Sequence, residues 1–112
     1  MYRALCHCRD CRRHSGAPMV AWGLVPKEQL KIEGEVREYA SSENGRRQFC
    51  PKCGTRLFYL NEQTFAGMID VQLATLDDPD SMPPEMHVQV ADRIGWMKTL
   101  GELPEFERYP GP

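Results

Sequence analysis

Five cysteines stand at positions 6, 8, 11, 50 and 53, in two groups that could each hold a metal. Cys6-His7-Cys8-Arg9-Asp10-Cys11 offers three thiolates within six residues. Three protein ligands and an open fourth position mark a catalytic zinc, whereas a structural zinc closes its tetrahedron with four. Cys50-Pro-Lys-Cys53-Gly54 is the second half of a zinc knuckle: its two sulfurs can turn toward one ion, and Gly54 permits positive φ. His7 and His14 stand near enough in sequence to substitute as ligands. An odd number of cysteines cannot all pair as disulfides. Two groups 39 residues apart, with strand-like sequence between them, favour zinc. An iron–sulfur cluster and free buried thiols are the other readings of the same spacing.

Other chemistries lack their residues. A thioredoxin-like use of Cys50 and Cys53 needs a helix starting at the pair, yet Thr55-Arg-Leu-Phe-Tyr-Leu60 reads as a strand. There is no Gly-x-Ser-x-Gly elbow for a serine hydrolase and no phosphate-binding glycine loop. His87 is a candidate base, although a single histidine before a strand more often packs or caps. Asp70 reads as a turn-bonding residue, and Trp22 and Trp96 as core.

The elements that must position these groups read as short strands. Met19–Val25 is an apolar strand stopped by Pro26, and residues 26–30 form one helical turn. Leu30 to Tyr39 alternates as two short strands about Gly34. Ser41–Gly45 is a turn, Arg46–Phe49 leads into the second cysteine pair, and residues 64–76 form a strand broken near Gly67. Asp77–Asp80 is a loop with one 3₁₀ turn, and Met86–Val90 is the last strand. Ile94–Leu100 is the best short helix, ended by Gly101. The tail 103–112 is irregular, with Phe106 packed on the body. The expected fold is a single mainly β domain over residues 1–112, of the small kind that a structural metal often staples.

Composition narrows the setting. With 112 residues, 41% hydrophobic and 27% charged, this is ordinary globular sequence, and no apolar run approaches the roughly 18 to 20 residues that span a membrane. The first residues show no secretory leader, so a cytoplasmic location with reduced thiols is expected. Charge is split: residues 1–56 hold 11 Lys/Arg and 6 Asp/Glu (+5), residues 57–112 hold 3 and 10 (−7). The basic half could attract an anionic ligand, a small thiol peptide or a phosphate. A pI near 5.9 and the lack of an aromatic-interleaved basic stripe argue against nucleic acid. A zinc-stabilised binding module is the non-enzymatic alternative.

The residues also carry a resemblance. Cys6-His-Cys-Arg-Asp-Cys-Arg-Arg-His-Ser-Gly-Ala-Pro18, Phe49-Cys-Pro-Lys-Cys-Gly-Thr-Arg-Leu57, Ile69-Asp-Val71 and Leu76-Asp-Asp-Pro79 resemble the glutathione-dependent formaldehyde-activating enzyme family, whose domain also occurs in centromere protein V. The likeness extends to Pro84-Glu-Met-His87 and Trp96. It implies an Mss4-like, zinc-binding β fold, with Cys6, Cys8 and Cys11 as the catalytic-type zinc site and Cys50 and Cys53 as half of a structural Cys₄ site. It implies glutathione, or a related thiol, as partner, and a carbon–sulfur lyase-type condensation with formaldehyde. Arg9, Arg12, Arg13 and Arg46 could hold glutathione carboxylates. The sequence departs from the family pattern at one point: the early Cys-x-Cys-Gly motif is absent, and with it a first hairpin of roughly 20 residues. One or two zinc ions follow, with Cys50 and Cys53 sharing the first cluster's ion or standing empty. An open edge where that hairpin would pair leaves a homodimer open.

Overall fold

Seven short runs, the central ones apolar and those toward the β3 edge largely polar, become the strands of one sheet in a computed structural model that describes residues 2–111. The strands are β1 (Tyr2–Cys6), β2 (Val20–Pro26), β3 (Arg37–Ala40), β4 (Gly45–Phe49), β5 (Arg56–Asn61), β6 (Met68–Gln72) and β7 (Met86–Val88). Their order across the sheet is β3-β4-β5-β6-β2-β1-β7. All neighbours are antiparallel except β1 and β7, which run parallel through Leu5↔His87 and Cys6↔Val88. β1 is thus paired on both sides and presents no open edge; the edges are β3 and the three-residue β7.

The single α-helix among the described residues, α1 (Arg9–Ser15), lies between β1 and β2. The strand-by-strand sequence reading missed it because it is only two turns long. Its signals are local: Asp10 in the first turn, Arg12, Arg13 and His14 in the last, and Gly16 as left-handed C-cap at φ 64°. The expected pair of strands within Leu30–Tyr39 reduces to β3 alone. Ile32 finds no surface to cover and stays exposed, and Gly34 turns at φ 93°. The expected helix at 94–100 is 3₁₀ (Gly95–Glu102), kinked at Thr99. The expected 3₁₀ turn after Asp77 is Pro79–Ser81. Residues 103–111 form no helix or strand. Phe106 and Trp96, read as packed, are 58% and 56% exposed.

Register decides which side chains meet. Arg47↔Tyr59 across β4 and β5, Tyr59↔Asp70 across β5 and β6, Asp70↔Leu24 and Leu24↔Tyr2 form one cross-strand row. Residues paired this way point to one face of the sheet. The buried apolar set is small: Ala4, Cys6, Cys11, Val20, Trp22, Leu24, Ile69 and Leu73. Two of the eight are cysteines of the first cluster, so the core and the candidate site coincide. The radius of gyration, 15.2 Å, exceeds the roughly 13 Å of a compact chain this long, because one sheet with little cover cannot close into a ball. A metal crosslink at Cys6, Cys8 and Cys11 would reinforce the fold where its core is thinnest.

Candidate metal centre

The corner between β1 and α1 builds the cluster. Cys6 ends β1 with its side chain on the core face. Cys8 is the N-cap of α1, and its sulfur accepts a hydrogen bond from the Cys11 backbone N–H at 3.3 Å. Cys11 is the buried residue of α1, and its sulfur lies 3.6 Å from that of Cys6. His7, between them, points away from the sulfurs by strand alternation and is fully buried. It pins the corner to β7 twice: its N–H donates to the Val88 carbonyl at 3.1 Å, and its Nε2 is 2.9 Å from His87 Nδ1. His87, offered by sequence as a base, is therefore a packing partner of His7. Burial, then the nearby Arg93, hold His7 toward the neutral form.

The three sulfurs all lie within 4.8 Å of one another. A tetrahedral zinc with bonds of about 2.3 Å spaces its sulfurs by about 3.8 Å. The 3.6 Å separation of Cys6 and Cys11 matches that edge. The donor set is soft and half-buried and faces a cavity, so the residues fit a zinc with one position open. Their protons are unevenly held: hydrogen bonds from Cys11 and Cys6 pull the Cys8 thiol far down, whereas those to Cys11 and Cys8, then burial, push Cys6 up.

The cavity beside the cluster measures ≈ 480 Å³. Trp22, Tyr59 and Phe65 form its apolar walls, with Trp22 and Tyr59 ring centroids 6.3 Å apart. Arg47 is its cation. That side chain is 4% exposed, sits 4.6 Å above the Tyr59 ring, donates to Ser41 Oγ at 2.9 Å and reaches Cys11 Sγ at 3.6 Å. Asp70 is its anion. Burial pushes the Asp70 carboxyl up to about 6, against the opposing pull of Arg47.

The residues singled out from sequence fall in three places. Cys6, Cys8 and Cys11 converge as described. Cys50 and Cys53 stand apart from them on the β4–β5 turn. That turn has the geometry of a knuckle: Gly54 sits at φ 77° and its N–H donates to the Cys50 carbonyl at 2.8 Å. Cys53 is exposed, and a hydrogen bond with Thr55 (Sγ to Oγ1, 3.0 Å) draws its thiol down. All five cysteines are free. The four arginines lie outside the cavity lining. Arg9 and Arg13 project from α1 into solvent, Arg12 Nε donates to the His7 carbonyl at 3.3 Å, and Arg46 fastens the Ser42, Glu43 and Gly45 carbonyls. Sequence reasoning passed over Arg47 and gave Asp70 only a turn. The signal that separates Arg47 from Arg46 is strand alternation combined with the Tyr59 register.

Fold and site together define a small β-sheet domain built around a cluster of three cysteines that could hold a metal ion, beside an amphipathic cavity. Residues 1–92 match the model of the family described as glutathione-dependent formaldehyde-activating enzyme, and the chain belongs to that family. Its mainly β architecture is of the Mss4-like kind. The chain is similar to an uncharacterized lyase of Schizosaccharomyces pombe, 32% identical over 89 residues that cover 67% of this chain and 65% of the relative. Proteins of Aspergillus flavus and Aspergillus oryzae, each named as a candidate glutathione-dependent formaldehyde-activating enzyme, are 27% identical over 96 residues covering 83% of this chain. The chain spans 44% of the length of these two relatives. No helix among the described residues is long and apolar enough to cross a membrane.

Proposed function

We propose that this domain is a zinc-dependent carbon–sulfur lyase-type enzyme that joins a thiol such as glutathione to formaldehyde, giving the S-hydroxymethyl adduct, in a reducing compartment such as the cytoplasm. The observation that carries the reading is the convergence of Cys6, Cys8 and Cys11 at the wall of one cavity. Zinc held by these three sulfurs would lower the pKa of a thiol brought to the open position. Three thiolates already outweigh the charge of Zn²⁺, so the donor set suits thiol delivery better than carbonyl polarisation.

The chain's own residues supply the rest. Arg47 keeps a guanidinium beside the sulfurs and favours anionic sulfur there. Trp22, Tyr59 and Phe65 give the cavity beside the sulfurs apolar walls. Arg9 and Arg13, exposed on the helix that carries Cys11, are left as the cations for substrate carboxylates, since Arg12 and Arg46 are engaged with backbone carbonyls. The substrate S–H bond breaks, the sulfur bonds to the formaldehyde carbon, and a proton ends on the new hydroxyl oxygen. The reverse reaction cleaves that carbon–sulfur bond. The test is exchange NMR on a glutathione–formaldehyde mixture. The wild type should speed adduct exchange and Cys8→Ser should not. Equal rates for both would overturn the reading and leave a metal-stabilised binding module.

A further inference from the structure

A second cavity lies on the other side of the β1 corner from the cysteine cluster. Strand alternation sends Cys6 into the first cavity and His7 into the lining of this one, which measures ≈ 340 Å³. The parallel pairing of β1 with β7 brings His87 beside His7. Met19, Met97 and Leu100 add apolar wall, and Arg93 and Lys98 add charge. Four of these seven residues, from Arg93 onward, lie beyond the stretch 1–92 that matches the family model. The cavity is therefore made as much by the segment after that match as by the matched domain.

Its charge runs against its surroundings. Residues 57–112 hold three Lys/Arg, at 93, 98 and 108, against ten Asp/Glu. Two of those three meet at this cavity, and no Asp or Glu lines it. The ion pairs among the described residues are Arg3–Glu85, Lys27–Glu62 and Lys31–Glu33, none involving Arg93 or Lys98. Arg93 is half-buried, so part of its hydration is lost with no anion to replace it.

The lining holds one more unused group. His7 is fully buried, its Nε2 is taken up by His87 Nδ1, and its own Nδ1 has no hydrogen-bond partner among the described residues. With His87 Nδ1 as donor in that bond, His7 carries its proton on Nδ1 and is a donor as well. Methionine and histidine together would also suit a soft metal ion, but two cationic side chains repel one. They favour an anion, and a guanidinium fork matches a carboxylate. The methionines and Leu100 favour an apolar body on the same molecule.

We infer that this cavity binds a small amphipathic carboxylate, its acid group held by Arg93 and Lys98 and its hydrocarbon body against Met19, Met97 and Leu100. The inference stands on this cavity alone and does not depend on the thiol-enzyme reading.

Histidine-ring ¹H–¹⁵N NMR on the zinc-loaded chain at pH 7.5 tests it, with hexanoate, 1-hexanol and acetate as probes. The three histidines report separately, because His14 lines a different cavity beside Cys53. Hexanoate should shift His7 and His87 and leave His14 in place. It should bind at least about tenfold more tightly than 1-hexanol, which lacks the charge, and than acetate, which lacks the chain. Arg93→Gln/Lys98→Gln should abolish the preference over 1-hexanol and leave 1-hexanol affinity within about twofold of wild type. Equal affinity for hexanoate and 1-hexanol would overturn the role of the cations, and equal affinity for hexanoate and acetate that of the apolar wall. Both comparisons use the wild type, so they hold even where the double variant fails to fold. A preference that survives in the double variant, an equal shift of His14, or no shift of His7 and His87 would overturn the inference outright.

Discussion

Replacing Asp70 by Asn should stabilise the protein. The carboxyl is nearly isosteric with the amide but has been moved by burial from 3.8 to about 6. At about 1.4 kcal/mol for each tenfold change in proton affinity, that difference is about 3 kcal/mol. The sign follows from linkage. The folded protein holds this proton more tightly than the unfolded chain, so the contribution is fully present below 3.8 and is lost as pH rises through about 6. Asn carries no charge to desolvate at any of these pH values. The variant and the wild type should therefore have similar stability near pH 4, and the variant should lead by up to about 3 kcal/mol above pH 7. Against a total stability of about 5–15 kcal/mol, such a lead is readily measured. Urea unfolding of both proteins at four pH values between 4 and 7.5, with equal zinc loading, measures the difference. A gap that does not grow with pH, or a variant less stable at neutral pH, would refute the assignment of Asp70 as an uncompensated carboxylate.

Other perturbations follow from the same geometry. Gly16→Ala forces a side chain into φ 64° with nothing within 4 Å, so it should cost about 1 kcal/mol from backbone strain alone, read by thermal melting. His87→Ala leaves the buried His7 Nε2 without its 2.9 Å partner and should cost about 1–3 kcal/mol in urea unfolding. Burial holds His7 below its ordinary 6.5, so its contribution is present above 6.5 and lost as pH falls through the depressed value; a melting temperature flat across that window would contradict this. Arg47→Met removes the ring contact and the Ser41 hydrogen bond, for about 2 kcal/mol of stability. It should also slow adduct exchange at least tenfold, and an unchanged rate would separate Arg47 from the chemistry.

What was legible in the sequence was local. The cysteine spacings, the Gly54 turn and the strand expected at residues 19–25 depend on neighbours a few residues away; the structure has them, with the strand shifted by one residue to Val20–Pro26. The signals for α1 were also local, in Asp10, Arg12, Arg13, His14 and Gly16, but seven residues are too few for a periodicity to show. The cavity was not legible, because it depends on pairing across distant strands. Arg46 and Arg47 are adjacent and look alike, yet alternation sends one to a surface turn and the other into the core. Asp70 gains its place only when β6 pairs with both β5 and β2. The parallel contact of β1 with β7 joins His7 to His87 across 80 residues, and no local pattern announces it.

The central claim is that Cys6, Cys8 and Cys11 hold one zinc ion in a site separate from Cys50 and Cys53. Native mass spectrometry of zinc per chain tests it most directly. Cys8→Ser should lose one ion relative to wild type, while the Cys50→Ser/Cys53→Ser variant should keep that ion. A Cys8→Ser protein with full zinc content, or loss of all zinc in the Cys50→Ser/Cys53→Ser variant, would contradict the account.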